Sequence, residues 1–338
     1  EYFTIYVRDI KTGKLVTEKI ENTSGSINFS LDDQYIFYSK LDENHRPRSI
    51  FRHQIGSSIN EDILIFEEKT KAFTVGISIS SDEKYYFINS SDHNTSEKYY
   101  FGIDEKKPEP KLIQQRKKGI IYSVNSWGGN FYMHTNENAE DFKILISNNI
   151  ESKVWETYIP SQSETMIGNL TFLNNWQIRS ELRNALDKIY VKNLKTNKEE
   201  EIIFTEETVY DSSVSLMQRD RDTDDIYISY STPKTPSRTF IYNLKTKEKK
   251  LVKEQIIPSG HNSNDYIVER LECEGHDGRI IPITITRKKT TKLDGNSNLL
   301  LYGYGSYGNS MWPSFSSTRL SLINRDIIWA TAHIRGGM

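Results

Sequence analysis

The chain has 338 residues, and its 44 basic and 46 acidic side chains leave a net charge of −2. The length favours two domains over one, and the balanced charge gives no reason to expect nucleic acid or an anionic membrane as a partner. Only 36 % of the residues are hydrophobic, but 20 Tyr and 14 Phe make the aromatic share 12 %, which is typical of a β-rich chain rather than a helical one.

One cysteine, Cys273, is present, so no internal disulfide can form, and this usage fits a reducing, cytoplasmic location. The strand-like alternation around Cys273 predicts a small packed residue rather than a catalytic thiol. There is no run of 18 apolar residues, so we expect no membrane span, and no signal peptide is visible. The sequence is already in a strand pattern close to Glu1 and stops at Met338 inside a motif, so we expect a fragment of a longer protein.

Residues 1–262 contain two recurring turn motifs between short strand-like runs. The first is a strand end followed by Asp or Asn and a Lys-Thr turn, and it occurs at 7–14, 191–198 and 241–248. In the second, a Ser-x-Asp turn leads into an aromatic strand, as in Ser30–Tyr38 and Ser80–Ile88. Both motifs repeat at about 50 residues, close to the period of propeller blades. We therefore predict a β-propeller rather than a β-sandwich, with five or six four-stranded units in this region.

No catalytic constellation is visible in residues 1–262. The histidines lack metal-ligand spacing, and we expect each of them, His53 included, to be a turn or surface residue. The acidic run Asp220–Asp225 lacks the glycine and the distal glutamate of an EF-hand loop, and it predicts a solvated turn before a strand at 226–231. The two prolines of Ser231–Pro236 predict a loop that breaks the strand. The sequence therefore predicts no metal site and no cofactor.

The pattern changes after a linker-like segment that ends near residue 262. A hairpin with Gly275–Gly278 at its turn is followed by two apolar runs, Asn298–Tyr302 and Asp326–His333, and glycines close each run. Such runs are typical of strands buried on both faces of a parallel or mixed sheet. Glycine after such a strand permits a sharp turn and a close backbone approach. We predict two domains, a propeller at 1–262 and the first strands of an α/β domain at 263–338.

The segment Gly303–Gly308 resembles two functional motifs without matching either. Its G-x-G-x-x-G spacing is that of a dinucleotide loop, but no helix follows directly to receive a pyrophosphate. A nucleophile elbow needs glycine two positions before the serine, and the residue there, before Ser306, is Tyr304. Ser306 is therefore not predicted to be a nucleophile.

Four segments near the carboxyl end resemble the start of the catalytic domain of the prolyl oligopeptidase family. They are Leu300–Gly308, Pro313–Ser316, Arg319–Leu322 and Ala332–Gly337. The resemblance extends through the rest of the chain. It implies a seven-bladed propeller, incomplete here in its first blade, capping an α/β-hydrolase domain. It also implies a cytosolic serine peptidase that acts on short peptides, in a branch of the family that cleaves after Lys or Arg.

The resemblance assigns few site residues to this chain. It implies that the Tyr304 hydroxyl stabilises the oxyanion and that the turn Arg335–Gly337 shapes the neighbourhood of the site. The Ser, Asp and His of the family's triad have no counterpart in the 338 residues, so we expect the chain alone to be inactive. Its catalytic half would come from further chain or from a separate polypeptide. The alternative hypothesis is a non-catalytic propeller, either a binding module or the product of a decayed gene.

Overall fold

The computed structural model describes residues 1–16, 19–204, 206–217, 220–309 and 311–336. Within these residues the protein is mostly β-structure, and it divides into two compact units, 1–160 and 161–338. The α-helix that the described residues form, α1 at Ser317–Ile323, has seven residues and is far too short to cross a bilayer. Mostly β-structure is what the composition predicts.

Three antiparallel sheets form the first unit, and each is a meander in which chain neighbours pair. The first sheet contains β1 (Phe3–Ile5), β2 (Ile20–Phe29), β3 (Tyr35–Leu41), β4 (Pro47–Gln54) and β5 (Ile63–Glu67). The second contains β6 (Thr74–Ile79), β7 (Tyr85–Ser91), β8 (Ser96–Gly102) and β9 (Lys111–Gln114). The third contains β10 (Tyr122–Trp127), β11 (Asn130–Thr135), β12 (Lys143–Ser147) and β13 (Glu156–Ile159).

Two further meanders and one mixed sheet form the second unit. The meanders are β14 (Thr165–Leu173), β15 (Trp176–Arg183), β16 (Leu186–Asn193) and β17 (Glu199–Glu201), then β18 (Asp211–Leu216), β19 (Asp225–Thr232), β20 (Thr235–Asn243) and β21 (Lys249–Glu254). The mixed sheet contains β22 (Tyr266–Glu274), β23 (Ile280–Lys288), β24 (Leu299–Gly303) and β25 (Ile328–Ala332). Its spatial order is β22-β23-β25-β24, with β24 and β25 parallel and the other pairs antiparallel.

The Ser-x-Asp motif forms the turn between the first two long strands of a meander. Ser30 Oγ donates to Asp32 Oδ1 at 2.6 Å between β2 and β3, and Ser80 Oγ donates to Asp82 Oδ1 at 2.8 Å between β6 and β7. These hydroxyl–carboxylate contacts lie inside the turn itself, so a four-residue signal suffices to define it. The predicted turn is confirmed in both sheets.

The Lys-Thr motif closes the outer hairpin of two meanders. Asn193 Oδ1 accepts from the amide of Thr196 at 3.0 Å between β16 and β17, and Asn243 Oδ1 accepts from the amide of Thr246 at 2.8 Å between β20 and β21. The copy at 7–14 forms the same turn over an isolated bridge. The predicted repeat is therefore confirmed. The described residues hold five meander sheets up to residue 254, the smaller of the two predicted numbers.

Hydrophobic side chains fill the space between successive sheets within each unit. In the first unit one cluster joins β3 and β4 to β6, β7 and β8, with Ile50 and Ile88 fully buried. In the second unit Ile178 and Ile189 of one meander pack with Ile226 and Ile228 of the next. Each such side chain contributes about 1.5–3 kcal/mol on burial. Face-to-face packing of four-stranded meanders is what a propeller requires.

The loop within Ser231–Pro236 is shorter than the sequence predicts. β19 continues to Thr232 and β20 starts at Thr235, so only two residues form the loop. Thr232 Oγ1 accepts from the Thr235 amide at 2.9 Å and secures this hairpin. Pro236 lies inside β20, opposite the point between Tyr230 and Thr232 of β19 where the strand register shifts. Proline is tolerated there because no backbone N–H is needed for the hydrogen bonds between the strands. The expectation of a strand-breaking loop is wrong for this reason.

Two further expectations about single side chains are wrong. Cys273 is exposed rather than packed, because it lies near the end of β22 that projects beyond the rest of the mixed sheet. His53 is completely buried rather than at the surface. Its Nδ1 lies 2.6 Å from Asp62 Oδ1, and the Tyr38 hydroxyl donates to Asp62 Oδ2 at 2.8 Å. This pairing satisfies the polar groups that burial removes from water.

Candidate functional site

The carboxyl ends of β24 and β25 define the candidate site. These strands are parallel neighbours, with Gly303 opposite Ala332, and α1 lies between them in the chain. Loop 304–316 after β24 and loop 333–336 after β25 therefore start at the same edge of the mixed sheet. Ligands of open α/β sheets bind outside this edge, where neighbouring loops leave a crevice.

Glycine allows the two loops to touch backbone to backbone. A Cβ built on Gly305 would lie 2.9 Å from Ile334 Cγ1 and would overlap the carbonyl of Arg335. A Cβ on Gly336, where φ is +84°, would overlap the carbonyl of Gly305. The amide of Gly308 donates to the carbonyl of Gly336 at 2.9 Å and ties the loops together. The close approach that the glycine pattern predicts is present, although Gly337 and Met338 lie outside the described residues.

Tyr304 lies at the start of loop 304–316, one residue after β24. Its side chain is 38 % exposed, and among the described residues its hydroxyl has no hydrogen-bond partner. In α/β-hydrolases the loop between the third strand and the first helix supplies a donor to the oxyanion. The loop that carries Tyr304 has this position, because β24 is the third strand of the mixed sheet and α1 follows it. The oxyanion role of Tyr304 stays a prediction.

Ser306 is in the same loop and is exposed. In the part of the chain that the structure describes, neither a histidine nor a carboxylate is hydrogen-bonded to its hydroxyl. A serine nucleophile needs such a base within reach. That Ser306 is not a nucleophile stays a prediction.

His333 holds loop 304–316 in place through a hydrogen bond to its backbone, a role that no sequence pattern indicated. The side chain is 3 % exposed. Its Nδ1 donates to the carbonyl of Met311 at 2.6 Å, and Thr284 Oγ1 donates to its Nε2 at 2.8 Å. Arg270 Nη1 donates to Thr284 Oγ1 at 2.9 Å. Burial, and then the charge of Arg270, lower the pKa of His333 to about 4, so the ring stays neutral at pH 7 and keeps this tautomer.

An ion pair joins the second loop to the hairpin turn at 275–278. Arg335 Nη1 contacts Asp277 Oδ2, and this hydrogen bond lowers the pKa of the Asp277 carboxyl. The loop 333–336 is therefore held at both sides, by Gly305 and by Asp277. Among the described residues no group of three His, Cys, Asp or Glu side chains is placed to hold a metal ion. Among the described residues, loop 304–316 presents two exposed phenols at this edge, Tyr304 and Tyr307.

Meander sheets followed by a mixed sheet with this strand order define a propeller-type domain joined to the first strands of an α/β-hydrolase-type sheet. The family model described as the prolyl oligopeptidase N-terminal beta-propeller domain matches residues 1–255. The chain therefore belongs to the prolyl oligopeptidase family.

Relatives within the family agree with this assignment. The chain is 32 % identical to Protease 2 of Moraxella lacunata, over 99 % of this chain and 48 % of that protein. It is 28 % identical to dipeptidyl aminopeptidase BI of Pseudoxanthomonas mexicana, over 99 % of this chain and 46 % of that protein. The chain thus spans about half the length of the curated relatives it matches.

Solved structures show the same fold. Oligopeptidase B from Leishmania major matches 99 % of this chain and 48 % of its own, with a TM-score of 0.91 and 24 % identity. Oligopeptidase B from Trypanosoma brucei, solved with covalently bound antipain, matches 94 % of this chain and 46 % of its own, with a TM-score of 0.87 and 26 % identity. Together with Protease 2, they show that the chain is similar to oligopeptidase B within its family.

Proposed function

We propose that this chain is the propeller-bearing part of a serine oligopeptidase that cleaves short peptides after Lys or Arg. The observation that carries the proposal is the position of Tyr304, in a loop at the carboxyl edge of the mixed sheet that Gly305 and Gly336 hold against the neighbouring loop. The chain that carries this loop belongs to the prolyl oligopeptidase family. Cleavage after Lys or Arg is supported by similarity to Protease 2 and oligopeptidase B. The propeller would limit the size of the peptides that reach the site.

The chemistry assigned to Tyr304 is oxyanion stabilisation. Attack on a peptide carbonyl places negative charge on its oxygen, and a hydroxyl already held in position donates to that oxygen without reorganisation. One such donor is worth about 3 kcal/mol in the transition state. The contact between Gly305 and Gly336, and the bond from His333 to Met311, would hold the loop in place.

The 338 residues contain no G-x-S-x-G motif. The nucleophile, the base and the acid that orients the base would therefore come from a further part of the protein or from a separate polypeptide. We expect the purified chain to release no fluorophore from an Arg-Arg peptide amide and to take up no serine-reactive fluorophosphonate. Turnover with labelling of this chain would contradict the proposal and would identify Ser306 as the first residue to test.

Activity should appear when the chain is combined with a polypeptide that carries G-x-S-x-G followed by Asp and His. In that assembly we expect Tyr304→Phe to lower kcat by about 100-fold with little change in KM, because a donor used mainly in the transition state is lost. Tyr307→Phe is the matched control, since Tyr307 is in the same loop and 82 % exposed. Equal effects of the two changes, or preference for a substrate without Lys or Arg, would refute the assignment.

A non-catalytic propeller is the second candidate, and the missing G-x-S-x-G motif favours it. Its signature is peptide or protein binding without turnover, even when a folded catalytic partner is supplied. We also propose a cytoplasmic location, because a single cysteine is typical of proteins from a reducing compartment. Fractionation of the native source tests that location directly.

A further inference from the structure

Lys98 lies in β8, the third strand of the second sheet, and it faces the third sheet. Side chains alternate along a strand, so Lys98 shares one face of β8 with Ser96 and Tyr100. Ser96 Oγ donates to the Tyr122 carbonyl at 3.0 Å, and Tyr100 clusters with Phe131 of β11. The backbone amide of Lys98 itself donates to the Tyr122 hydroxyl at 2.9 Å. The stem of this lysine therefore lies between two packed sheets.

The Lys98 amine has no counter-ion. The residue is half-buried, and among the described residues its Nζ has neither a hydrogen bond nor an ion pair. Lys188 is also half-buried, but its Nζ lies 2.7 Å from Glu201 Oε1. The Lys98 Nζ is not one of the fully buried polar atoms that lack a partner, so it reaches solvent. Lys98 is thus an unpaired amine at the margin of the space between the sheets.

The charged and titratable groups of the elements packed on β8 do not supply a counter-ion. β7 has no charged residue. The carboxylates in or beside β8 pair with other cations: Glu97 with Arg116 at 3.1 Å, Glu137 with Lys117 at 2.5 Å and Glu151 with Lys111 at 3.5 Å. Burial raises the pKa of the two phenols on this face, Tyr100 and Tyr122, so both stay neutral.

A lysine in this position has a nucleophilic amine. Burial lowers the pKa of Lys98 to about 8, because the ammonium loses water and gains no opposite charge. At pH 7 about 10 % of Lys98 side chains are then neutral, against about 0.04 % for an ordinary lysine. The neutral amine is the form that attacks a carbonyl carbon, and removal from water is one way in which proteins activate lysine for this attack.

We propose that Lys98 is a site of acylation by thioesters and other activated esters. The lone pair of Nζ attacks the acyl carbonyl carbon, the amide C–N bond forms, and the C–S bond of the thioester breaks. Nζ loses one proton and the leaving thiolate takes one up, so one thiol is released for each lysine acylated. The reaction needs neither loop 304–316 nor a catalytic partner. It therefore goes beyond the proposed function, and either proposal can fail while the other stands.

The test uses the 338-residue chain and a limiting amount of S-phenyl thioacetate, followed by peptide mass mapping. Lys118 is the internal reference, because it lies in the same unit, is exposed and has no carboxylate partner among the described residues. At pH 7 we expect Lys98 to be acetylated about 10-fold faster than Lys118, since the gain in neutral amine exceeds the loss of basicity and access. Equal rates, or a slower rate at Lys98, overturn the proposal.

The pH dependence and two controls test the part played by burial. The rate at Lys98 should level off above about pH 8, whereas an ordinary lysine gains neutral amine through pH 9 and beyond. In guanidinium chloride the rates at Lys98 and Lys118 should come within about twofold, because unfolding removes the burial. Lys98→Arg keeps the charge and should abolish the fast acetylation without moving it to another lysine. A preference for Lys98 that persists in the unfolded chain, or fast acetylation of the variant, overturns the assignment.

Discussion

Replacing Gly305 by alanine tests whether the two loops at the carboxyl edge need their backbone contact. The new Cβ would lie 2.9 Å from Ile334 Cγ1 and 3.2 Å from the Ile334 carbonyl, and closer still to the Arg335 carbonyl. Ordinary contacts begin near 3.4 Å, so loop 333–336 must move away by several tenths of an ångström or more. Backbone cannot give way as a flexible side chain can.

The effect of Gly305→Ala on the free energy of unfolding is the sum of two opposing contributions. Overpacking of this kind costs about 1–3 kcal/mol. Alanine also restricts the conformations of the unfolded chain, which stabilises the folded state by about 0.4–1 kcal/mol. This gain applies because Gly305 does not have a positive φ. We expect a net loss of about 1–2 kcal/mol, together with faster amide exchange at Gly308, whose N–H donates to the Gly336 carbonyl.

Denaturant unfolding and hydrogen exchange measure the two effects. Gly76→Ala in β6 is the control, because its added Cβ would meet no atom within 4 Å. That variant should be unchanged or more stable by up to about 1 kcal/mol. If Gly305→Ala matches Gly76→Ala in stability and leaves the Gly308 amide protected, the contact between the loops does not constrain the site.

Three other changes test buried charge. His333→Gln should flatten the stability profile between pH 6.5 and 4. The lowered pKa of His333 makes folding of the wild type weaken as pH falls through this window, by on the order of 3 kcal/mol at most. Asp187→Asn should stabilise the protein at pH 8 by on the order of 2 kcal/mol and have little effect at pH 3. Burial raises the pKa of Asp187 to about 7, so the wild type loses stability as pH rises from about 4 to 7. Arg179→Met should cost about 3–5 kcal/mol in denaturant unfolding, because Glu181, with a side chain 4 % exposed, loses its 2.8 Å ion pair.

Matched variants separate these effects from general damage. His93→Gln changes an exposed histidine and should leave the pH profile as in the wild type. The double change Arg179→Met with Glu181→Met should recover much of the stability, since no unpaired charge stays buried. A pH profile of His333→Gln parallel to the wild type would show that another group governs acid stability.

The sequence predicted those parts of the fold that depend on neighbours along the chain. The Ser-x-Asp and Lys-Thr turns are built by side chains that bond to their own turn, so a few residues define them. The same holds for the hairpin at 275–278, which joins β22 and β23 as expected. Two strands of a parallel or mixed sheet were predicted from the two apolar runs closed by glycine, and β24 and β25 are parallel neighbours in the mixed sheet.

Features that depend on distant partners were not predicted. Burial of His333 depends on Thr284, which is 49 residues away in the chain. β24 was expected to be buried on both faces, but Leu299 and Leu301 are 52 % and 62 % exposed, because this strand lies at the edge of the mixed sheet. β25 lies between two strands and has the burial that the pattern predicted. Position within a sheet is a tertiary property that periodicity does not report.

The strand order of the mixed sheet also has a consequence for the order of folding. Each meander grows by adding the next strand in the chain, so its loop closures are short, as between Trp127 and Asn130. The contact of β23 with β25 instead closes a loop of about 50 residues, and β25 must be present before β24 has a partner. During synthesis or refolding the meanders can therefore form early, while loop 304–316 acquires its structure only after β25 has docked. Ordering of this loop is then a late kinetic step, and its rate depends on the docking of β25.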